Sequence, residues 1–280
     1  MDINKSIRAG GETDINEPIG AGGSRRQNRP KTPNPLNDPN RRNAARNEAQ
    51  QQRPQDQQNQ RQEFDGIAYE ILKDWRLIVD LLGPIIEQRE AICWAIVLAR
   101  LIEAMYNIWI GNSKCFLRIS VDDLVSKIKA EDDDKEITTL NRCIKVIEVQ
   151  GIKKVPTTSH ANRDKIKTIK WVIDTNEAAD RNFIQTKLEI SPVGIIIDID
   201  DEFSALREGF YKIRVVPHTG RTVGRHALMI LGRGRTVEGQ DFFIAQNSWE
   251  KTWGVNGYGR LIIDDGMSCM AFWPRPYRDF

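Results

Sequence analysis

The sequence predicts an α+β fold in which a helical N-terminal lobe precedes a β-rich C-terminal lobe. From about residue 64 aromatic and aliphatic residues become dense, from Ile85 through Trp109 they recur at helical spacing, and capping signals predict two further helices before Gly151. After about residue 166, apolar residues alternate or run together between glycine-rich turns, which is typical of strands. Because the helical and β segments occupy separate stretches of chain, they indicate segregated lobes rather than an alternating α/β fold.

The first 62 residues differ from everything that follows. They are rich in Asn, Gln, Arg, Pro and Gly and almost free of aliphatic side chains, so little apolar burial could offset the entropy of ordering them. We therefore predict a disordered polar tail over 1–62 and one folded domain over 63–280, with order beginning near Phe64. The tail's arginines could contact RNA, a membrane or a partner protein, but acidic residues dilute them and no aromatic residues are interleaved for stacking.

Three helices are predicted in the N-terminal lobe. The longest runs from Ile85 to Trp109, is mostly buried, and has Cys93 near its start. The second is SVDDLVSKIKA, where Ser120 is placed to cap the N-terminus and acidic residues fill the first turn. The third is TTLNRCIKVIEVQG, which ends at Gly151.

The strands of the C-terminal lobe are predicted from five segments. They are rich in β-branched and aromatic residues, and together they predict an antiparallel, barrel-like sheet. The segments are KTIKWVI, VGIIIDI, HALMILGRG, DFFIAQNS and YGRLIID.

Charge and composition exclude several classes of function. Lys and Arg number 41 against 39 for Asp and Glu, a net charge of +2, so no overall field favours nucleic acid or anionic lipid. We expect no nucleic-acid partner, no membrane association and a monomer. The first residues lack the apolar core of a signal peptide, and no apolar run of about 18 residues occurs, so an intracellular chain is favoured.

The cysteines and histidines give no sign of a metal site. The four cysteines are widely spaced without a C-x-x-C pair, and free thiols in a reducing compartment are the simpler interpretation. His160, His218 and His226 do not form an H-E-x-x-H motif. We therefore expect no metal and no cofactor.

One combination of residues points to nucleophilic chemistry. Cys93 lies near a helix start, where unpaired amides and the helix dipole lower a thiol pKa. A lone buried cysteine is usually inert, a lone histidine is more often structural, and a tryptophan such as Trp249 is usually core. The interest lies in the set: Gln88 upstream, His226 at the head of HALMIL, and Asn247 within QNSW.

These segments resemble the papain (peptidase C1) family. The similarity is most specific in HALMILGRG and in FFIAQNSWEKTWGVNGYGRLIIDDG, and fainter in Asp74-Trp75-Arg76, Cys93-Trp94-Ala95, ISVDDLVSK and VIEVQGI. His226 and Asn247 follow Cys93 at close to the roughly 130–150 residues usual for that family. The resemblance covers about residues 65–275. It implies a two-lobe papain-like fold, with a long central helix in the N-terminal lobe and a β-barrel-like C-terminal lobe.

The resemblance also implies a role for each residue of the set. It implies a cysteine endopeptidase that hydrolyses peptide bonds in peptide or protein substrates. Cys93 would be the nucleophile, His226 its general base and then acid, Asn247 the group that orients the imidazole, and Gln88 an oxyanion donor; Trp94 and Trp249 would support them.

Several departures leave a second function open. Where the family has a glycine-rich segment, this chain has Arg89, Glu90, Ala91 and Ile92, and the interval from Gln88 to Cys93 is one residue short. The family's C-N-G-G stretch has no counterpart between residues 126 and 151, and residues 1–62 lack the apolar periodicity of an inhibitory propeptide. The alternative is a catalytically weak or inactive papain-like scaffold that binds a partner.

Overall fold

The structure is a computed structural model that describes residues 62–64, 67–88, 90–110, 116–131, 140–155, 168–215 and 224–276. The predicted tail lies outside these ranges apart from Gln62, so its disorder stays a prediction, as does the domain boundary after residue 62. Cys115, His160 and His218 also lie outside the described residues.

Five α-helices occur in the described ranges. They are α1 (Cys93–Ile110), α2 (Val121–Glu131), α3 (Leu140–Val149), α4 (Arg181–Leu188) and α5 (Asp201–Ala205). The long helix begins at Cys93, so its predicted start at Ile85 is wrong. The backbone just before it bonds to other parts of the chain instead: the Gly83 amide donates to Glu103 Oε1 at 2.9 Å, and the Gln88 amide donates to the Ser248 carbonyl at 2.8 Å.

The next two helices carry the predicted end signals. The Asp123 amide donates to Ser120 Oγ at 3.1 Å, which confirms Ser120 as the cap of α2. After α3, Gly151 has a φ of +72°, and its amide bonds to the Val146 and Ile147 carbonyls at 3.1 Å. A glycine adopts this left-handed conformation without the clash that a Cβ would make.

Twelve strands are described in the same ranges, and all five predicted segments contain one. They are β1 (Gln62–Phe64), β2 (Ile67–Asp74), β3 (Arg118–Ile119), β4 (Ile152–Val155), β5 (Thr168–Ile169), β6 (Trp171–Ala179), β7 (Val193–Ile199), β8 (Phe210–Lys212), β9 (Gly224–Thr236), β10 (Asp241–Gln246), β11 (Tyr258–Ile262) and β12 (Cys269–Pro276).

Nine of these strands form one large sheet. Its order is β6-β12-β7-β9-β10-β11-β8, with β2 joined to β9 and β1 to β2. The pairs are antiparallel except for β8 with β11, which is parallel. Strands β3, β4 and β5 form a separate small sheet. These helices and sheets confirm the predicted α+β class.

Some elements were not predicted. The hairpin β1–β2 adds N-terminal strands to the C-terminal sheet, and Tyr69 of β2 is buried in the sheet core, with 3% of its surface exposed. Helices α4 and α5 interrupt the β-rich half. The side chains of Asp180 and Asp200 cap them by accepting from the Phe183 and Phe203 amides at 2.8 and 2.9 Å.

Two hydrophobic cores meet at β9. The helical core is built around α1, α2 and α3, whereas the sheet core lies around β7, β9, β10 and β11. Ala227 and Met229 of β9 belong to the helical core, and Leu228 and Ile230 belong to the sheet core. Because successive side chains of a strand point to opposite faces, one strand forms part of both cores.

Candidate active site

The histidine side of the site is built at the start of β9 and the end of β10. These strands pair antiparallel, with Gln246 opposite Met229, so the residue after β10 lies beside the beginning of β9. His226 Nε2 and Asn247 Oδ1 are 2.7 Å apart as a result. Both residues are buried, each with 3% of its surface exposed.

The hydrogen bonds of Asn247 fix the tautomer of the imidazole. The Ser248 amide donates to Asn247 Oδ1 at 2.7 Å, and a backbone amide can only donate, so the oxygen must occupy this position. His226 Nε2 must then carry the proton that it donates to the same oxygen. Burial lowers the pKa of His226 to about 4, although the bond to Asn247 opposes this shift. At neutral pH the imidazole is therefore uncharged, with the lone pair on Nδ1.

Two aromatic rings enclose the imidazole. The Trp249 ring lies 4.5 Å from it, centroid to centroid, and the Phe203 ring lies 6.0 Å away. The Trp253 indole is anchored behind them, because its Nε1 donates to the Phe203 carbonyl at 2.8 Å. These rings exclude water from one side of the bond between His226 and Asn247, which strengthens that bond.

A tight turn after β10 holds this arrangement. The Asn247 amide donates to the Gly257 carbonyl at 3.0 Å, which closes the turn. Gly257 has a φ of +83°, and a Cβ at this position would lie 2.5 Å from Ile85 Cδ1. The glycine in the N-G-Y-G motif is therefore required both by its conformation and by the close approach of the segment that precedes α1.

The cysteine side of the site begins at the first residue of α1. The backbone amides of Ala227, Trp94 and Cys93 itself lie near the Cys93 sulfur and favour the charged form of the thiol, which lowers its pKa. Burial nevertheless raises the pKa of the Cys93 thiol and is the larger effect. The amides at the helix start therefore favour the thiolate, as expected from the sequence, but burial outweighs them and the pKa of Cys93 is raised. Within the described residues, no hydrogen bond joins the sulfur to the His226 ring.

Gln88 connects the segment before α1 to the histidine side. Its backbone amide donates to the Ser248 carbonyl at 2.8 Å, and Ser248 Oγ donates to its Oε1 at 2.6 Å. In the part of the chain that the structure describes, Gln88 Nε2 makes no hydrogen bond, so this donor is free for another acceptor. Gln88, Ser248, Asn247 and His226 therefore form one continuous series of bonded residues.

A buried ion pair holds the start of this segment. Glu103 has no exposed surface, and its Oε1 accepts from Arg100 Nη1 at 2.8 Å and from the Gly83 amide at 2.9 Å. Its Oε2 accepts from the Ile119 amide at 3.1 Å, while Arg100 Nη2 donates to the Pro84 carbonyl at 2.6 Å. These bonds fix residues 83 and 84 against α1, and they were not foreseen from the sequence.

A pocket of about 620 Å³ adjoins the site. Gln88, Trp249 and Trp253 form part of its wall. Its charged lining residues among those described are Glu87, Glu90, Glu250 and Arg207. The pocket therefore shares two residues with the candidate active site.

A known protein family matches most of the chain. Residues 72–271 match the family described as papain family cysteine protease. The chain belongs to this family. The matched residues include both the segment before α1 and the turn after β10.

Individual relatives match shorter stretches. The chain is 33% identical over 103 residues to cysteine proteinase 3 of Dictyostelium discoideum, which is 35% of this chain and 29% of that protein. It is 40% identical over 73 residues to the cathepsin B-like CP1 of Giardia intestinalis, covering 25% of this chain and 22% of that protein. The matched stretches thus span less than a third of these curated relatives.

Solved structures of the same fold extend the comparison. A cysteine protease of Carica candamarcensis, in complex with E-64, superposes with a TM-score of 0.55 at 20% identity. The match covers 73% of this chain and 98% of that chain. This likeness confirms the predicted papain-like fold.

The structure brings the predicted residues together to different degrees. His226, Asn247, Trp249 and Gln88 are joined by direct bonds or ring contacts, and the Cys93 sulfur reaches the amide that follows His226. Trp94 packs into the helical core, with 7% of its surface exposed.

Two further residues were missed. Ser248 bonds both Gln88 and Asn247 and was available in the quoted QNSW motif. Phe203 forms a wall of the imidazole site, but the sequence around it signals only the start of α5. Neither residue had been given a role from the sequence.

Neither a metal-ligating cluster nor a membrane-spanning helix occurs among the described residues. No group of three or more His, Cys, Asp or Glu side chains in these ranges is arranged to hold a metal ion. Among the same residues, no helix has both the length and the apolar character needed to cross a membrane.

Proposed function

We propose that this chain is a cysteine endopeptidase that hydrolyses peptide bonds with Cys93, His226 and Asn247. The observation that carries the proposal is the bonded series from Gln88 through Ser248 and Asn247 to His226, with the Cys93 sulfur beside the next amide of β9. A histidine with only a packing role would not need hydrogen bonds that fix the orientation of its ring. Here both ring nitrogens have defined states, and Nδ1 is left as a base.

The reaction starts from a neutral pair. The raised pKa of Cys93 and the lowered pKa of His226 favour a thiol and an uncharged imidazole. As the sulfur attacks the carbonyl carbon, its proton passes to His226 Nδ1, and the carbonyl oxygen becomes an oxyanion. The imidazolium then protonates the leaving nitrogen as the C–N bond breaks. Water, deprotonated by the same imidazole, hydrolyses the thioester and regenerates the thiol.

Asn247 and Gln88 have supporting roles in this proposal. Asn247 Oδ1 holds the ring through Nε2 and stabilises the imidazolium that forms during attack. Gln88 Nε2, which is unbonded within the described residues, and the Cys93 amide would donate to the oxyanion. Removing one donor of this kind typically lowers the rate by about 10²- to 10³-fold.

An active-site label and a turnover assay test the proposal together. An epoxide thiol probe should label Cys93 in the full-length protein, and labelling should fall in His226→Ala. Hydrolysis of a fluorogenic peptide should be lost in Cys93→Ser. The matched control is Cys269→Ser, because Cys269 is another buried free thiol, with 8% of its surface exposed, and its pKa is raised to about 12 by burial. A folded protein that shows neither labelling nor turnover contradicts the proposal.

A non-enzymatic scaffold is the second candidate. It is favoured by the buried, uncharged states of Cys93 and His226 and by the lack of a hydrogen bond between them within the described ranges. Such a protein would bind peptides in its cleft without cleaving them. Efficient turnover that disappears in Cys93→Ser excludes this candidate.

We also propose that the protein is a monomer with the domain boundary after residue 62. Light scattering of the full chain at increasing concentration should give a constant mass near 32.1 kDa. Limited proteolysis should cut within residues 1–62 long before it cuts the rest. A mass that rises with concentration, or early cuts confined to 63–280, contradicts the respective part of the proposal.

A further inference from the structure

We propose that the pocket beside Trp249 binds a lysine or arginine side chain of the peptide next to the scissile bond. The inference rests on the proposed function and names its substrate class. The location follows from the walls of the pocket, because Gln88 belongs to the bonded series around His226 and the Trp249 ring packs against the imidazole. A peptide held at the candidate site therefore places a neighbouring side chain at this pocket.

The charge of the pocket favours a cation. Three carboxylates and one guanidinium line it among the described residues. Glu90 is paired with Lys129 at 2.9 Å, but neither Glu87 nor Glu250 forms a salt bridge with any described residue. Among the described residues, Glu250 accepts a long bond of 3.4 Å from Thr252, and Arg207 donates to the Leu206 carbonyl at 3.1 Å but has no carboxylate partner. Two unpaired carboxylates therefore stand against one unpaired guanidinium, and this net negative charge favours a cation from the substrate.

The wall of the pocket favours a side chain with an apolar stem. The indole of Trp253 is 98% buried and fixed by its bond to Phe203, whereas Trp249 is only half-buried and offers its ring to the pocket. Lysine and arginine pack their methylene groups on apolar surface while the charged end reaches polar groups, and a cation near an indole face is attracted to it. An apolar side chain would use the wall but not the carboxylates, and an acidic one would be repelled.

The expected preference is moderate because the carboxylates are exposed. Charge pairs at such positions typically change affinity by about 1.5- to 5-fold each. Because Arg207 offsets one of the two unpaired carboxylates, lysine should bind about 1.5- to 5-fold more tightly than norleucine, and about 2- to 25-fold more tightly than glutamate, at the same peptide position. Salt weakens interactions between exposed charges, so the preference should shrink in about 0.5 M NaCl.

Peptide binding tests the inference without depending on turnover. The full-length Cys93→Ala protein is titrated by calorimetry with octa-alanine peptides, blocked at both ends, that carry Lys, norleucine or Glu at each position in turn. At one position Lys should bind more tightly than norleucine, and norleucine more tightly than Glu. The double variant Glu87→Gln, Glu250→Gln should remove this order. The exposed Glu177→Gln is the matched control and should keep it.

The outcomes separate this inference from the proposed function. If no position prefers Lys, or if the preference survives the double variant, the pocket does not select a cation. If the preference is found but the wild-type protein cleaves none of the peptides, the pocket inference holds and the peptidase proposal fails. Turnover without any charge preference overturns the pocket inference alone.

Discussion

The histidine side and the cysteine side of the candidate active site are held by different kinds of contact. His226, Asn247, Ser248 and Trp249 bond or stack with one another directly, and three of them are consecutive in the chain. The start of the segment before Cys93 is held instead by Glu103 of α1, which is 20 residues along the chain from the Gly83 amide that it accepts from. A contiguous motif can therefore specify the histidine side, whereas the cysteine side depends on residues scattered along the chain.

The largest effect is expected from breaking the support of the cysteine side. Glu103→Ala leaves Arg100 buried without its carboxylate and leaves the Gly83 amide without its acceptor. We expect a loss of about 3–5 kcal/mol in the free energy of unfolding, as is usual when one member of a buried ion pair is removed. Urea unfolding measures this loss, with the exposed Glu177→Ala as the control. A loss no greater than that of the control would show that the pair does not hold this segment.

The next effect concerns the histidine side and depends on pH. The pKa of His226 is about 4 in the folded protein and about 6.5 in the unfolded chain, so between these values the unfolded chain binds more protons. Above pH 6.5 the free energy of unfolding keeps its full value with respect to this group. It decreases by roughly 3 kcal/mol in total as the pH falls to about 4. Unfolding by urea at several pH values should show this loss in the wild type. His226→Gln should lose correspondingly less, and equal slopes for both proteins contradict the assignment.

A smaller effect is expected from opening the aromatic cover of the imidazole. Trp249→Leu admits water to His226, so the pKa of His226 should rise from about 4 toward its ordinary value, by about one unit. Titration of the imidazole C2 proton by NMR measures this change. Trp273→Leu is the control, because Trp273 packs on Phe183, outside the candidate active site, and should leave the titration unchanged. An unaltered pKa in Trp249→Leu means that other residues provide the burial.

The smallest effect is expected at the exposed link between the segment before Cys93 and α2. Glu90 and Lys129 are 2.9 Å apart, with 63% and 42% of their side chains exposed. Lys129→Ala should therefore lower the free energy of unfolding by less than about 1 kcal/mol, and high salt should remove the difference. Lys127→Ala should cost more, because Lys127 bonds the largely buried Asp123 at 2.7 Å and the Gly151 carbonyl at 2.8 Å. If Lys129→Ala lowers the free energy of unfolding more than Lys127→Ala does, the exposed pair contributes more to stability than its exposure suggests.

The difference between local motifs and contacts with distant residues explains which features could be predicted from the sequence. Ser120, Gly151 and the segments VGIIIDI and HALMILGRG specify local structure through capping, positive φ and alternation, so their elements were predicted correctly. His226 and Asn247 were linked because their motifs, HALMILGRG and QNSW, resemble the papain family in order and spacing. The capping, positive-φ and alternation signals act over a few residues, whereas the link between His226 and Asn247 needed the family resemblance.

The predictions that failed depend on distant partners. Ile85 and its neighbours have helical spacing, but Glu103, Arg100 and Ser248 bond the backbone of this segment and exclude it from α1. The pKa of Cys93 likewise depends on burial by the surrounding lobe, which outweighs the local effect of the helix start. A sequence pattern does not show which tertiary contact overrides a local preference.

The side chains of β9 point alternately into the two hydrophobic cores, and this affects how the protein unfolds. Since Ala227 and Met229 are packed in one core and Leu228 and Ile230 in the other, neither lobe can lose its packing without exposing a face of this strand. The two lobes should therefore unfold as a single cooperative unit rather than one after the other. Amide hydrogen exchange gives a direct view of this: the protons of residues 227–230 should exchange only by global unfolding and rank among the slowest in the domain.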